Sequence, residues 1–570
     1  MQKKLWNYHK PLPQSELRNL SARFGIPPVI VTILANRQIN TELALKNYIS
    51  KSMANIHNPM LMDGMKEAAE RIKKAIENHE KIVIYGDYDV DGITSTALLY
   101  LFLKEQNADV SYYIPDRKSE GYGINIMAIN KFIKSKTNLV ITVDCGITAV
   151  GEVEFAKLSK LDMIITDHHT CKEKIPDALA VLNPKKPNCE YPFKELSGAG
   201  VAFKLILGMA MVLGLNTGEC FRKYCDIAAI GTIADVVPLV DENRIIVAKG
   251  LEILNNTNRA GLKAIFEVSG VLGKPITAST IAFAVAPRLN AAGRLGTAVT
   301  AVELMTENDS QRAYEIAKEL NDENRERQLT EQQIYSEAVQ MVESDENFKK
   351  KKVIVLAKEG WHNGVIGIVA SKINDKYYKP CILITHEKGI GKGSGRSIEG
   401  MNLFDALTAV KDDLVEFGGH SIAAGLSIDM DNIEKFDKDI NDYANKTLKP
   451  EDMVQKIMID TDISPKDVTL ENAKMLLNLE PYGMGNAKPV FSISAVKIAN
   501  IAAMGQDNKH LRMRLVWENK YINAVGFGMG EYVSEFNQND IVDVAFTMEV
   551  NNFQGNSQVQ LQIKDIKIHE

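Results

Sequence analysis

The chain has 570 residues, of which 45 % are hydrophobic and 25 % charged. This is the composition of an ordinary globular protein of roughly three to four domains, and it excludes wholesale disorder, a collagen-like repeat and a disulfide-stapled mini-protein. Lys plus Arg number 67 and Asp plus Glu 73, a net charge of −6, so any site for a polyanion must be local.

The six cysteines form no C-x-x-C pair, which argues against structural zinc and for reduced thiols in a cytoplasmic setting. The opening residues lack the apolar segment of a secretory signal. The longest apolar-rich stretch, Val201 to Leu215, is too short to span a bilayer and carries Lys204. It reads as a buried helix, and no membrane association is expected.

Residues 1–75 are mixed in character and read as a mostly helical segment packed on the domain that follows. From Lys81 the pattern changes. The β-branched runs Lys81–Tyr85, Asn138–Asp144 and Leu161–Thr166 alternate with stretches of helical spacing, which predicts an α/β domain with a parallel sheet over 76–308. Residues 309–345 are nearly continuous charged and amide sequence without Gly or Pro. Good helix formers dominate, so we read a long exposed helix of about 50 Å joining two domains. A smaller α/β domain is expected over 346–452, with strands at Lys352–Ala357 and Pro380–Thr385 and a helix from about Asn363 to Asn374. Residues 453–570 carry short alternating runs, as in His510–Trp517, and suggest a small β-barrel.

The carboxylates fall at telling places. The first strand runs into Asp87, Asp89 and Asp91, the second ends at Asp144, and the third at Asp167-His168-His169. Asp235 follows another apolar run. Parallel sheets bind ligands beyond the carboxyl ends of their strands. One Asp after a strand is ordinarily a helix N-cap, but three such clusters on successive strands point to a metal site. Gathered aspartates repel unless cations neutralise them or some hold protons. Oxygen ligands with one or two imidazoles suit Mg²⁺ or Mn²⁺, and two such ions would serve an in-line phosphoryl displacement.

Gly86-Asp-Tyr-Asp-Val-Asp-Gly-Ile-Thr94, Val143-Asp-Cys-Gly146, Thr166-Asp-His-His169 and Gly231-Thr-Ile-Ala-Asp-Val-Val-Pro238 resemble successive motifs of the DHH phosphoesterase family. Ala286–Arg294 and Gly360–Ser371 are similar to motifs of its RecJ branch. Gly393–Ser397 and Gly418–Gly425 resemble those of the associated DHHA1 domain, and the tail matches an OB-fold. The resemblance implies a single-strand-specific 5′→3′ exonuclease acting in DNA repair and recombination. Water would attack the phosphorus between the first and second nucleotides, and a 5′-mononucleotide would leave.

By position, the resemblance implies two ions, Mn²⁺ or Mg²⁺, on Asp89, Asp91, Asp144, His168 and Asp235, with Asp144 as the bridge. It sets His169 against the scissile phosphate and Asp87 in support of the site. Some family members carry His where this chain has Tyr85, so occupancy of the second ion stays open here. Exonuclease polarity requires recognition of the chain end. Arg294, Ser394 and Arg396 are the candidates to grip the 5′ phosphate, because arginine matches phosphate bidentately. Gly391, Gly393 and Gly395 would let backbone N–H groups approach it. Arg288 and Asn290 either contact DNA or brace the cleft, His420 and His362 either act in the cleft or are structural, and Arg512 and Arg514 either track the strand or form a solvated face.

The implied partners are single-stranded DNA with a 5′ end, a helicase and a single-strand-binding protein. Two readings compete: another phosphodiesterase of the same superfamily, acting on nano-RNA or a cyclic dinucleotide, and a RecJ-like scaffold that binds DNA without cleaving it.

Overall fold

Runs of Val and Ile that are apolar on every residue cannot face water on either side, and they form the centre of a parallel sheet covered by helices on both faces. The computed structural model describes residues 4–10, 12–116, 120–121, 123–387, 389–553 and 555–569. Residues 1–3 and 11 of the expected N-terminal segment lie outside them. The described chain divides into two units. One comprises Trp6–Asn290, Ala298–Ala317 and the chain from Met458 onward, and the other is built mainly from Lys318–Ile457 with Ala291–Thr297.

In the first unit a five-stranded parallel sheet has the order Asp109–Tyr113, Lys81–Tyr85, Leu139–Val143, Asp162–Thr166, Ala180–Leu182. The three strands that carry the acid clusters are therefore adjacent. One face packs on the helices Met65–Glu77, Val90–Glu105, Gly198–Val212 and Thr217–Ala234. The other packs on Ile126–Lys134 and Val150–Leu158. The helix Gly198–Val212 is the buried one expected at Val201. Its Lys204 is fully buried and pairs with Glu242 at 2.9 Å, which removes the cost of an isolated charge.

The same unit holds a barrel. Phe491–Met504, His510–Trp517, Lys520–Gly526, Asn556–Ile568 and Ile541–Phe553 pair in that order, and the first and last also pair, closing five strands. Leu511, Met513 and Leu515 point into its core, and Arg512 and Arg514 point out. The N-terminal segment divides between two hosts. Leu5–Tyr8 is a strand, Val29, Ile30, Ile33, Leu34 and Leu45 share the barrel's apolar cluster, and Met62, Met65, Ala68, Ala69, Ile72 and Ala75 share that of the parallel sheet. Both hosts offer apolar faces, and nothing local in the helix pattern chooses between them.

The second unit is built on a mixed sheet ordered Glu416–Gly419, Ala423–Asp429, Ile390–Arg396, Cys381–Glu387, Ile354–Glu359, whose last pair is parallel. The helix Asn363–Tyr377 covers one face, and Leu403–Ala409 with Ile433–Thr447 the other. The long polar stretch is a single helix, Ser310–Ser344, but it is not exposed throughout. Ala313, Ile316, Leu320, Asn324, Arg327, Glu331, Ile334, Ala338 and Val342 are buried along it. Polar residues reach this face because they satisfy one another: Arg327 donates to Glu331 at 2.6 Å and to Asn324 at 3.2 and 3.1 Å.

Candidate metal centre

Each acid reaches the centre by a local device. Asp89 is the N-cap of the helix Val90–Glu105, and its Oδ1 accepts from the N–H groups of Asp91 and Gly92, both at 3.0 Å. Asp91, now in the first turn, is held by a second helix N-terminus. Its two oxygens accept from Gly198 at 2.6 Å and Ala199 at 2.8 Å, where the helix dipole favours negative charge. Asp144 ends its strand with φ of 60°, a left-handed conformation that is costly for a residue with a Cβ and typical of functional sites. Asp235 caps the C-terminus of Thr217–Ala234.

Glycines make the room. A Cβ on Gly198 would stand 2.5 Å from Asp144 Oδ1, and one on Gly231 would stand 2.8 Å from Asp91 Oδ1. Gly231 opens one of the motifs quoted above. Gly198 lies outside those motifs, and its signal is Ser197-Gly-Ala-Gly200, a capping serine opening an apolar helix.

The geometry brings these groups into three overlapping sets. Ligand atoms of Asp91, His168 and Asp235 lie within 4.8 Å of one another, as do those of Asp144, His168 and His169, and those of Asp87, Asp89 and Asp144. His168 Nε2 is 3.2 Å from Asp144 Oδ1, 3.6 Å from Asp235 Oδ2 and 3.8 Å from Asp91 Oδ2. Asp144 Oδ1, His168 Nε2 and Asp235 Oδ2 are buried without a hydrogen-bond partner among the described residues. Orphaned buried acceptors cost free energy unless a cation occupies the space between them, so the donor set fits divalent metal ions.

Charge crowding shows in the titration of the centre. Burial, and then the charge of Asp89, pushes Asp91 up to about 7. Burial, and then Asp91, pushes Asp235 up to about 9. Asp144 is raised well above the carboxylate range by burial and by Asp91. Burial, reinforced by His169, pushes His168 down to about 3, so its imidazole is neutral and a competent ligand.

Asp167, the acid of the third strand-end cluster, holds the turn that carries both histidines. It accepts from the N–H groups of Ile147, His168 and His169 at 2.9, 2.7 and 3.0 Å, and its Oδ1 lies 2.7 Å from His169 Nδ1. Burial raises its pKa, but the His169 interactions and backbone bonds win and lower it. Burial likewise opposes the charged form of His169, and the Asp167 bond with the surrounding carboxylates raises its pKa overall. Asp87, expected in support, also has an oxygen in the set with Asp89 and Asp144. Tyr85 turns away: its hydroxyl donates to the Gly123 carbonyl at 2.8 Å, and its ring packs against Tyr113 and Phe132. It supplies no ligand.

Asn290 Oδ1 accepts from Val90 N–H at 3.2 Å and so braces the loop of the first motif. Arg288 donates to the Ala284 carbonyl.

In the second unit, Arg294 Nη1 donates to the Gly364 carbonyl at 2.8 Å, and Arg396 Nη1 lies 3.3 Å from Ser394 Oγ. A Cβ on Gly367 would stand 2.8 Å from Ser394 Oγ and 3.3 Å from Arg396 Nη2. Gly364 and Gly367 of one helix thus gather the three candidate phosphate ligands. His362 caps that helix through Nδ1. His420 is exposed between paired strands, near the Ala423–Arg396 register pair.

The alternating glycines do not act as expected. Ile390–Arg396 is an inner strand whose backbone is paired on both sides, so its N–H groups are committed to the ladder. A Cβ on Gly391, Gly393 or Gly395 would stand 2.8, 2.7 or 2.8 Å from Ile384, Leu426 or Leu403. They admit the core on one face while Lys392, Ser394 and Arg396 take the other. On the barrel, Arg512 and Arg514 are exposed, and the Arg514 guanidinium lies 4.3 Å from the Tyr521 ring centroid.

Residues 81–232 match the DHH family N-terminal domain, 350–446 the DHHA1 domain and 459–565 the RecJ OB domain. The chain is 40 % identical over 567 residues to a single-stranded-DNA-specific exonuclease RecJ of Bacillus subtilis, covering 99 % of this chain and 71 % of that one. It is 34 % identical to the Haemophilus influenzae protein of the same name, covering 91 % and 93 %. The crystal structure of RecJ from Thermus thermophilus in complex with Mn²⁺ superposes with a TM-score of 0.86 at 29 % identity, covering 99 % of this chain and 80 % of that one. No described helix is long and apolar enough to cross a membrane. With three successive domain matches and identity of this extent, the chain belongs to the RecJ family.

Proposed function

We propose that the protein is a single-stranded-DNA-specific 5′→3′ exonuclease that releases 5′-mononucleotides by hydrolysis dependent on two divalent ions, Mn²⁺ or Mg²⁺, and acts in DNA repair and recombination. The carrying observation is the buried trio Asp144 Oδ1, His168 Nε2 and Asp235 Oδ2, without hydrogen-bond partners among the described residues, inside three overlapping ligand sets, of which Asp144 and His168 each belong to two. Asp89, Asp91, Asp144, His168 and Asp235 would hold the ions, with Asp87 and His169 in reach. When bound, paired divalent ions lower the pKa of a water and offset charge on phosphodiester oxygens.

The remaining work falls to the chain. The helix N-terminus at Gly198 fixes Asp91 before substrate arrives, so no reorganisation is needed during reaction. Asp167 engages His169 Nδ1, which makes Nε2 the nitrogen that would meet a phosphate oxygen. Asn290 holds the first motif loop. Arg294, Ser394 and Arg396 would grip the 5′ phosphate, with Arg288 and His420 as further substrate contacts. Arg512 and Arg514, the latter stacked on Tyr521, would follow the strand through phosphate contacts and stacking. Residues 76–308 would carry catalysis, 346–452 end recognition and 453–570 strand binding. The helix over 309–345 would link them, and 1–75 would support the barrel as well as the parallel-sheet domain. A helicase and a single-strand-binding protein in the cytoplasm would supply the substrate.

Assay of a 5′-phosphorylated single strand beside a dinucleotide, with Mn²⁺, tests this. Faster release from the long strand is expected. Preference for the dinucleotide, or strand binding with no release, would contradict it.

A further inference from the structure

A cavity lies away from the metal centre, within the first unit. It measures about 840 Å³ and is walled by the N-terminal helices, the chain around Lys51 to His57, the helix Asp241–Leu254 and the loop from Gly485 to Val490. That is ample for a nucleotide-sized molecule.

Its charges do not balance. Arg244 is 3 % exposed. Its Nε and Nη1 donate to the carbonyls of Tyr48, Leu479 and Pro481, but its Nη2 is buried with no hydrogen-bond partner among the described residues. Arg37 Nη2 donates to the Ala487 carbonyl, and its Nη1 is likewise buried without a partner among the described residues. Lys51 makes no ion pair among the described residues, and burial, followed by the charge of Arg244, pushes its ammonium down to about 8. The acids of the wall are already engaged. Asp241 lies 2.9 Å from His57 Nε2, and Asp460 accepts from Val490 N–H and the Asn36 amide. Glu480 partly offsets the charge of Lys51 but is itself raised by burial. Lys488 is taken by Glu549 at 2.6 Å. Arg37, Lys51 and Arg244 therefore line one cavity, and none of them has an ion-pair partner among the described residues. Buried guanidinium N–H groups of this kind are satisfied by a phosphate or carboxylate. The Tyr48 ring, 3.8 Å from the Arg244 guanidinium carbon, adds an aromatic surface for a base.

We propose that this cavity binds a small organic phosphate of nucleotide size, with its phosphate held by Arg37, Lys51 and Arg244. The assignment does not rest on the exonuclease reading, because the ligand needs no phosphodiester bond.

The full chain in EDTA, so that nothing turns over, is titrated calorimetrically with dAMP, deoxyadenosine and a dT oligonucleotide. Arg37→Gln, Lys51→Asn and Arg396→Ala variants are run in parallel. Asn suits the left-handed backbone of Lys51, whose φ is 46°. Expected is saturable dAMP binding that weakens about tenfold or more in Arg37→Gln and in Lys51→Asn, persists in Arg396→Ala, and is absent for deoxyadenosine. Should Lys51→Asn fail to fold, Arg37→Gln alone decides. The proposal is overturned by absence of saturable dAMP binding up to millimolar concentration, by equal binding of deoxyadenosine, or by binding that only Arg396→Ala removes. Oligonucleotide binding weakened by the cavity variants without any dAMP binding would also overturn it, because the cavity would then be part of a strand track.

Discussion

His169 Nδ1 lies 2.7 Å from Asp167 Oδ1, and the same carboxylate accepts three backbone N–H groups, two from the residues that follow it and one from Ile147 in the loop after the neighbouring strand. The histidine is therefore oriented by a group that is itself fixed. Such partners of catalytic or ligating imidazoles are worth about 10–100-fold in activity or metal affinity. Asp167→Ala is expected to lower kcat by about that factor while KM changes little, with Asp167→Asn intermediate. Steady-state kinetics on a 5′-phosphorylated single strand checks this, and an unchanged kcat would remove the positioning role.

Asp144 belongs to two of the three ligand sets and projects into both from a left-handed backbone. Asp144→Ala is expected to cut hydrolysis on the order of 10³-fold and to abolish tight Mn²⁺ binding, with the circular dichroism spectrum unchanged. Because this carboxylate is raised by burial and by Asp91, its removal relieves repulsion, and the metal-free variant is expected to melt no lower than the parent. Retained turnover would count against the bridge assignment.

The raised acids make stability depend on pH. Asp91 at about 7 and Asp235 at about 9 hold their protons more firmly in the folded chain than at the ordinary value near 4 in the unfolded chain. Their contribution is complete below the unfolded value and is lost as pH climbs through about 7 and then about 9. The metal-free protein is therefore expected to melt at a lower temperature at pH 9 than at pH 5.5. Divalent ions bind the ionised carboxylates, so Mn²⁺ at a hundredfold excess over Kd adds about 2.7 kcal/mol. Its effect is expected to be larger at pH 8 than at pH 5.5. Differential scanning fluorimetry at both pH values, with and without EDTA, reads the sign directly.

Arg396 is desolvated, and burial lowers its pKa. Its Nη1 bonds Ser394 and the Gly395 carbonyl, leaving the guanidinium plane fixed. Arg396→Ala is expected to lose roughly tenfold or more of the preference for 5′-phosphorylated over 5′-hydroxyl ends, with Mn²⁺ affinity unchanged. Competition between the two substrates measures it, and an unaltered preference would move end recognition elsewhere.

Much of this was legible in the sequence, for reasons that differ by element. Lys81–Tyr85 reads as a strand because every residue after Lys81 is buried on both faces, and the acids that follow it declare a site. His510–Trp517 shows its barrel face by strict alternation. Asp109–Tyr113 was missed because its five residues carry only a short, incomplete alternation, and Ala180–Leu182 because three residues carry no period. The barrel-bound helices Pro28–Asn36 and Glu42–Ser50 could not be placed, since tertiary partners leave no trace in local spacing. The role of Asp167 lay in the same motif as His168 and His169, but only the geometry separates ligand from positioner. The cavity cations Arg37, Lys51 and Arg244 are far apart in the chain and converge only on folding.

The central claim, that acids on adjacent strand ends hold ions which drive hydrolysis from a 5′ terminus, is tested most directly by a time course on 5′-labelled oligonucleotides, single-stranded and fully duplexed. With Mn²⁺, the label is predicted to appear first as a mononucleotide, from the single strand alone, and to stay in full-length strand when EDTA is present. A ladder of internal cuts, equal release from the duplex, or release without metal would contradict it.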